Sequence, residues 1–229
     1  MSESSQDITK ILAHIAETIG TNPESWVQWP GGWPGDIESA LVDAVFSARA
    51  VYKTKDGRGI YARVVAWQAT RGRQAYSLPA LLAEIGSDVD GWAKRFGNRQ
   101  HSPRRPASAP FGPMKAATVR EAAEALARHD VTTARQISAS TADDVWKVLL
   151  SVPGLGYATA NYFLMLLGAP GVKPDRMVKR FLADAYGHKY GDAEAERVIR
   201  AAAEQLGAQP HELDHAIWSF ESLKARVAR

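Results

Sequence analysis

Apolar residues recur at every third or fourth position along nearly the whole chain, the spacing that lines one face of an α-helix. Residues 8–19 place Ile8, Ile11, Leu12, Ile15 and Ile19 on such a face. Asp36 precedes Ile37, Leu41, Val42, Val45 and Phe46, and its carboxylate suits the partnerless first-turn amides of a helix. Ile60, Val64, Val65 and Trp67 predict a third helix. Ser77 caps a short one with Leu78, Leu81, Leu82 and Ile85, and Asp88 another with Val89, Trp92 and Phe96. Alanine-rich helices are expected at about 114–128 and 131–138. Thr141 and Asp144 stand at capping-box spacing before Val145, Trp146, Val148, Leu149 and Leu150. Later helices follow from Met177, Val178, Phe181, Leu182 and Ala185, from residues 191–206, and from Leu213, Ile217, Trp218 and Phe220 after Pro210. No segment alternates with period two over several residues, so the fold class is all-α.

Three stretches interrupt the pattern. Trp26 to Gly35 holds three tryptophans among turn residues; the rings either fill a gap between lobes as a packed connector or stand exposed for bases to stack on. Lys53 to Gly59 is a basic turn. Residues 97–113 contain four prolines with Arg99, His101, Arg104 and Arg105. Prolines at that density preclude a regular helix, leaving a solvated linker or a loop that tracks DNA.

The most informative stretch is Val152-Pro-Gly-Leu-Gly-Tyr-Ala-Thr-Ala-Asn-Tyr-Phe163, followed by Val172-Lys-Pro-Asp-Arg-Met-Val178. Gly154 and Gly156 release the turn from the Cβ constraint, so backbone N–H groups can converge at the start of the next helix. A helix N-terminus of that kind favours an anion, with a nucleic-acid phosphate the obvious candidate. Asp175 lies just beyond Pro174 at the expected start of another helix, where an acid caps the first turn.

These residues resemble the helix-hairpin-helix DNA glycosylases, which share an endonuclease III-like fold. The family's hydrophobic-Pro-Gly-hydrophobic-Gly hairpin is matched by Val152 to Gly156, its Thr-Ala by Thr159-Ala160, and its Gly/Pro-rich loop by Gly168 to Pro174. The acid ending that loop is Asp175. The resemblance covers most of the chain and is specific over residues 141–182. It implies an all-α, two-lobed fold with a DNA-binding cleft between the lobes. One lobe would be residues 36–168, including the hairpin motif at 141–168. The other would be residues 1–35 together with 169–229, carrying the catalytic acid.

The resemblance also implies a chemistry. The target bond is shielded in duplex DNA, so the nucleotide must be flipped out. Scission develops positive charge on the sugar, as in glycoside hydrolysis, and Asp175 would stabilise that charge and orient or deprotonate a water. Phosphate contacts fall on Gly154, Leu155, Gly156, Ala158 and Thr159, with Lys173 and Arg176 as further DNA contacts. Ser47-Ala48-Arg49 matches a family element ending in glutamine, which fills the gap left by the flipped base. Arg49 either takes that wedge role or is a phosphate contact or solvated helix-end charge.

Departures narrow the activity. Members that also cut the strand carry a lysine two residues after the second hairpin glycine; here Ala158 stands there, pointing to a monofunctional hydrolytic glycosylase. Lys173 and Lys179 near Asp175 are DNA contacts or solvated charges before they are lyase nucleophiles. The chain has no cysteine, which rules out the cysteine-ligated iron–sulfur cluster of many relatives, so no cofactor is expected. The resemblance does suggest a monovalent cation held by hairpin carbonyls. Thr159 to Phe163 looks most like the alkylated-base branch, whose pockets are lined by aromatic rings. Tyr157, Tyr162, Trp67 and Trp218 are the candidate rings, although the helical register of each favours a place in the core. That branch's tryptophan before Thr-Ala is Ala158 here.

A formal net charge of +3 permits a nucleic-acid partner without requiring one. His211 and His215 share a helical face, but no further ligand cluster makes them a metal site. The polar Met1 to Asp7 lacks a signal-peptide pattern, and no apolar run approaches the roughly 18 residues of a membrane span. A cytoplasmic monomer with double-stranded DNA as partner is therefore expected. The rival readings are a DNA-binding protein that has lost excision and a helical protein-interaction bundle.

Overall fold

Every residue of the helix Ile37–Ser47 (α2) is buried, including Glu38, Ser39 and Asp43. A helix buried on all faces has to sit at the centre of other helices, and four helices of its unit pack against it. The computed structural model describes residues 3–52, 54, 57–71, 76–103 and 110–227, and the side chains of 8–225 within them. Lys53 and Lys55 of the basic turn, and Arg104 and Arg105 of the Pro-rich loop, lie outside the described residues. Among the described residues there are eleven α-helices and no β-strand. The chain divides into one unit of Gly31–Ala169 and another of Met1–Pro30 with Pro170–Arg229.

In the first unit, α2 packs against α3 (Ile60–Thr70), α4 (Leu78–Ile85), α6 (Lys115–Arg128) and α8 (Tyr157–Leu166). The helices α5 (Val89–Phe96) and α7 (Ala142–Ser151) complete it. Asp36 caps α2 by accepting the Ser39 N–H at 2.9 Å, and Ser77 and Asp88 cap α4 and α5 as their positions predict. The buried acids on α2 have partners, as burial of charge demands. Glu38 accepts from Arg71 and from the Ser77 N–H. Asp43 accepts from the Trp33 indole and the Tyr52 hydroxyl, both at 2.8 Å.

In the second unit, α1 (Glu3–Thr18) packs on α9 (Arg176–Tyr186) and α10 (Asp192–Gln205), and α11 (Pro210–Val227) packs on α9 and α10. Ile11, Ile15, Val172, Phe181, Leu182, Ile199, Leu213 and Ile217 form its core. The apolar periodicity of the first, ninth and last helices therefore marks the faces that bury.

Two expectations need correction. No helix spans 131–138; the segment makes only a 3-10 turn at Ala134–Gln136. The Gln136 side-chain carbonyl accepts the N–H groups of Thr132 and Thr133, so side-chain bonds replace the helical ladder. Thr141 does not build a capping box with Asp144. Its hydroxyl accepts the Ser138 N–H at 2.9 Å and can donate to the Gln136 carbonyl at 3.1 Å, while Asp144 pairs with Lys147. The three tryptophans of the turn-rich stretch are packed, not free platforms. Trp26 is buried and donates to the Gly20 carbonyl, Trp29 lies edge-on to His215, and Trp33 stacks on Tyr61.

Candidate functional site

The hairpin joins α7 to α8 through Val152-Pro-Gly-Leu-Gly156. Gly154 has φ +92, and a Cβ there would stand 2.8 Å from Pro113 Cγ and Thr118 Oγ1. Both the backbone conformation and the contact require glycine. Leu155 is buried and anchors the turn in the core, leaving its backbone, not its side chain, for a ligand. Gly156 is the N-cap of α8, without a side-chain cap and with no acid in the first turn. The N–H groups of Thr159 and Ala160 both turn back to the Gly156 carbonyl at 3.0 Å. No acid of its own first turn offsets the partial positive charge of this helix start. Ala158 and Thr159 are half-buried on that first turn.

The stem of the Pro-rich loop holds the hairpin from behind. His101 and Met114 form an isolated antiparallel bridge, and Ser102 N–H donates to the Pro113 carbonyl at 2.7 Å. The Ser102 hydroxyl donates to the Gly154 carbonyl, and Thr118 reaches the Pro153 carbonyl at 3.5 Å. Each of these two hairpin carbonyls thus meets a hydroxyl of the same unit.

Arg49 lies just past the end of α2, exposed and with φ +50. A non-glycine residue in this left-handed region is uncommon and is held there by its surroundings. Lys115, one of the least accessible side chains of the unit, donates to the carbonyls of Phe46 and Ala48 immediately before it.

Asp175 belongs to the other unit and is the N-cap of α9. Its Oδ1 accepts the N–H of Met177 at 2.7 Å and of Val178 at 3.4 Å. The loop entering it is fixed by Asp214 on α11, whose Oδ1 accepts the Lys173 N–H at 2.9 Å. Burial, then the neighbouring charge of Asp175, pushes the Asp214 carboxyl well above the usual carboxylate range. Arg176 is exposed, Lys173 half-buried, and Lys179 pairs with Asp192.

Of the four candidate rings, Trp67, Tyr157 and Tyr162 lie in the first unit and Trp218 in the second. Trp67 is buried in the α2–α8 unit, donating to Glu84 at 2.8 Å and packed edge-on to Trp92. Tyr162 is buried in the same unit. Tyr157 lies edge-on to Trp146 across the α7–α8 hairpin. Trp67 and Tyr162 thus contribute to the core of the unit, while Tyr157 is half-buried. Trp218 is half-buried on α11, one turn beyond Asp214, and stacks on His215 at 5.7 Å. Among the described residues no group of three or more acids and histidines gathers to hold a metal.

Sequence reasoning missed Ser102, Lys115 and Asp214. Ser102 and Lys115 carry no local signal, since their partners lie far along the chain. Asp214 does: it interrupts the apolar stripe of Leu213, Ala216 and Ile217, and an acid on a buried stripe asks for a partner.

The crystal structure of the 8-oxoguanine DNA glycosylase of Thermotoga maritima matches 94% of this chain and 86% of its own, with a TM-score of 0.50 and 14% sequence identity. The likeness shows that the fold is an all-helical DNA glycosylase fold. No curated protein matches. Residues 9–222 match the family model described as a domain of unknown function (DUF8548), and the chain belongs to that family.

Proposed function

We propose that this protein is a monofunctional DNA glycosylase that hydrolyses the N-glycosidic bond of a flipped damaged or modified base in double-stranded DNA. The observation that carries the reading is Asp175. On a glycosylase fold, at the end of the loop that follows a glycine hairpin, one of its carboxylate oxygens is held by two backbone amides. Those two amides fix the oxygen in place at the helix N-terminus.

The chemistry asks little else of the chain. As the bond between the sugar's anomeric carbon and the base nitrogen breaks, its electron pair leaves with the base and positive charge grows on the sugar. Asp175 stabilises that charge and directs a water to the anomeric carbon, accepting a proton as the new C–O bond forms. The start of α8 takes a phosphate, with Arg176 and Lys173 adding charge beside Asp175. Ala158 supplies no amine for a Schiff base, and Lys179 is engaged by Asp192, so strand cleavage is not part of the reaction.

The resemblance of Thr159 to Phe163 to the alkylated-base branch gains no support from a structural neighbour named for 8-oxoguanine. With Trp67 and Tyr162 buried, Trp218 and its partner His215 are the rings we assign to the base.

The test is base release from a panel of duplexes bearing single alkylated, oxidised, deaminated or mismatched bases, with wild type and Asp175→Asn, each with and without hot alkali. Alkali-dependent breaks that vanish in the variant support the reading and name the substrate. Breaks without alkali overturn the monofunctional assignment. Salt-sensitive binding without release from any duplex favours a DNA-binding protein that has lost excision.

A further inference from the structure

The turn that carries Arg49 is unusual in two ways. It follows a fully buried helix, and its exposed arginine sits at φ +50, where L-residues are strained. Such a conformation persists only where the surroundings over-determine it. Ala50 N–H closes the turn on the Ser47 carbonyl at 3.2 Å, and one buried side chain ties the turn to the rest of the unit. Lys115 has 1% of its surface exposed, and its Nζ donates to Phe46 O at 2.9 Å, Ala48 O at 2.7 Å and Gln100 Oε1 at 3.1 Å.

All three acceptors are neutral. Two are carbonyls that the end of α2 leaves without helical partners. The third belongs to the stem of the Pro-rich loop, the same stem whose Ser102 holds the hairpin carbonyl of Gly154. Lys115 also donates its backbone N–H to Gln100 O at 2.9 Å. A buried ammonium without a carboxylate is an expensive way to fill a core position, and an apolar side chain would fill it at lower cost. What the ammonium adds is three directed bonds from one atom, joining the Arg49 turn to the element that supports the hairpin.

We propose that Lys115 is a positioning residue: it holds the Ala48–Arg49 turn in the conformation that presents Arg49 to DNA, in fixed register with the hairpin. The proposal takes the DNA-binding role of Arg49 from the function proposed above. It predicts that the effects of Lys115 pass through Arg49, and that the turn loosens locally when the lysine is removed.

Two measurements on the full chain test it. The first needs no DNA: limited trypsin digestion, following cleavage of the Arg49–Ala50 bond against other sites by mass spectrometry. Lys115→Met should raise cleavage there roughly tenfold, the consequence of losing buried bonds to a local opening equilibrium. Gln100→Ala, on an exposed residue, should give a smaller rise and carries the test if Lys115→Met fails to fold. Unchanged cleavage in the folded variants overturns the proposal.

The second is a double-mutant cycle of Lys115→Met with Arg49→Ala, read as single-turnover base release and as duplex affinity. Lys115→Met should be nearly silent once Arg49 is gone. Full additivity overturns the proposal, because a merely structural lysine would weaken both backgrounds equally. If wild type releases no base, the glycosylase reading fails, while the digestion and affinity arms still decide the role of Lys115.

Discussion

Asp214 on the buried face of α11 accepts the backbone N–H of Lys173 at 2.9 Å, two residues before Asp175. Burial is the main reason its carboxyl is raised well above 3.8, with the charges of Asp175 and Glu196 adding to it and Lys173 opposing. The folded chain therefore keeps a proton that the unfolded chain releases. The sign follows: the stability linked to this group is fully present below 3.8 and is lost as pH rises toward the folded value. Asp214→Asn keeps an acceptor for Lys173 and has no charge to bury. Thermal melts should show it at least as stable as wild type at neutral pH, with the difference shrinking toward pH 4. Asp214→Leu removes the acceptor and should lose about 1–3 kcal/mol. An asparagine variant that melts well below wild type at neutral pH would show that the buried group is ionised.

Asp175 does two jobs that one pair of substitutions separates. As an N-cap it holds Met177 and Val178, and asparagine caps nearly as well. Asp175→Asn should therefore leave the melting temperature almost unchanged while abolishing base release. Asp175→Ala should lose release and about 1 kcal/mol of stability as well. Base release surviving in the asparagine variant would remove Asp175 from the chemistry.

The contrast between Asp175 and Lys115 shows what is legible in a sequence. Asp175 announces itself because a helix start, a proline and an acid are local signals, and the hairpin of Val152 to Gly156 is local too. The helices were readable for the same reason: burial of one face leaves a period in the chain. Where side-chain bonds decide, the period misleads, as at Thr132 to Gln136, whose amides are taken by a glutamine instead of a helical ladder. Trp67 and Tyr162 are readable from sequence as pocket or core, because aromatic composition does not say which way a ring faces; in the structure both are buried. Lys115 reaches Phe46 across 69 positions, and no pattern within a single helix encodes that partner.

Gly154 is required for two separable reasons, a φ of +92 and neighbours that leave no room for a Cβ. Gly207 shares the first reason, with φ +66, but has open space around it. Gly207→Ala should cost about 1 kcal/mol from backbone strain alone. Gly154→Ala should cost about 1–3 kcal/mol more, because Pro113, Thr118 and Ser102 must move. Since those residues support the hairpin, duplex affinity should fall in Gly154→Ala and stay unchanged in Gly207→Ala. Equal melting temperatures for the two variants would contradict the crowding.

Arg71 joins Glu38 on the buried α2 to Glu84, which also accepts the indole N–H groups of Trp67 and Trp92. Burial raises the Glu38 carboxyl above 4.5, while the Ser77 N–H and Arg71 pull the other way. Arg71→Met leaves Glu38 without its cation and should destabilise the chain by about 3–5 kcal/mol near neutral pH. Below pH 4.5 the acid is protonated in both folded and unfolded chains, so the loss should shrink as pH falls. Adding Glu38→Gln to Arg71→Met removes the orphaned charge and should recover part of the stability at neutral pH. Chemical denaturation of wild type and the two variants at pH 7 and well below pH 4.5 distinguishes this from simple loss of arginine packing, which would give the same deficit at both pH values and no recovery in the double variant.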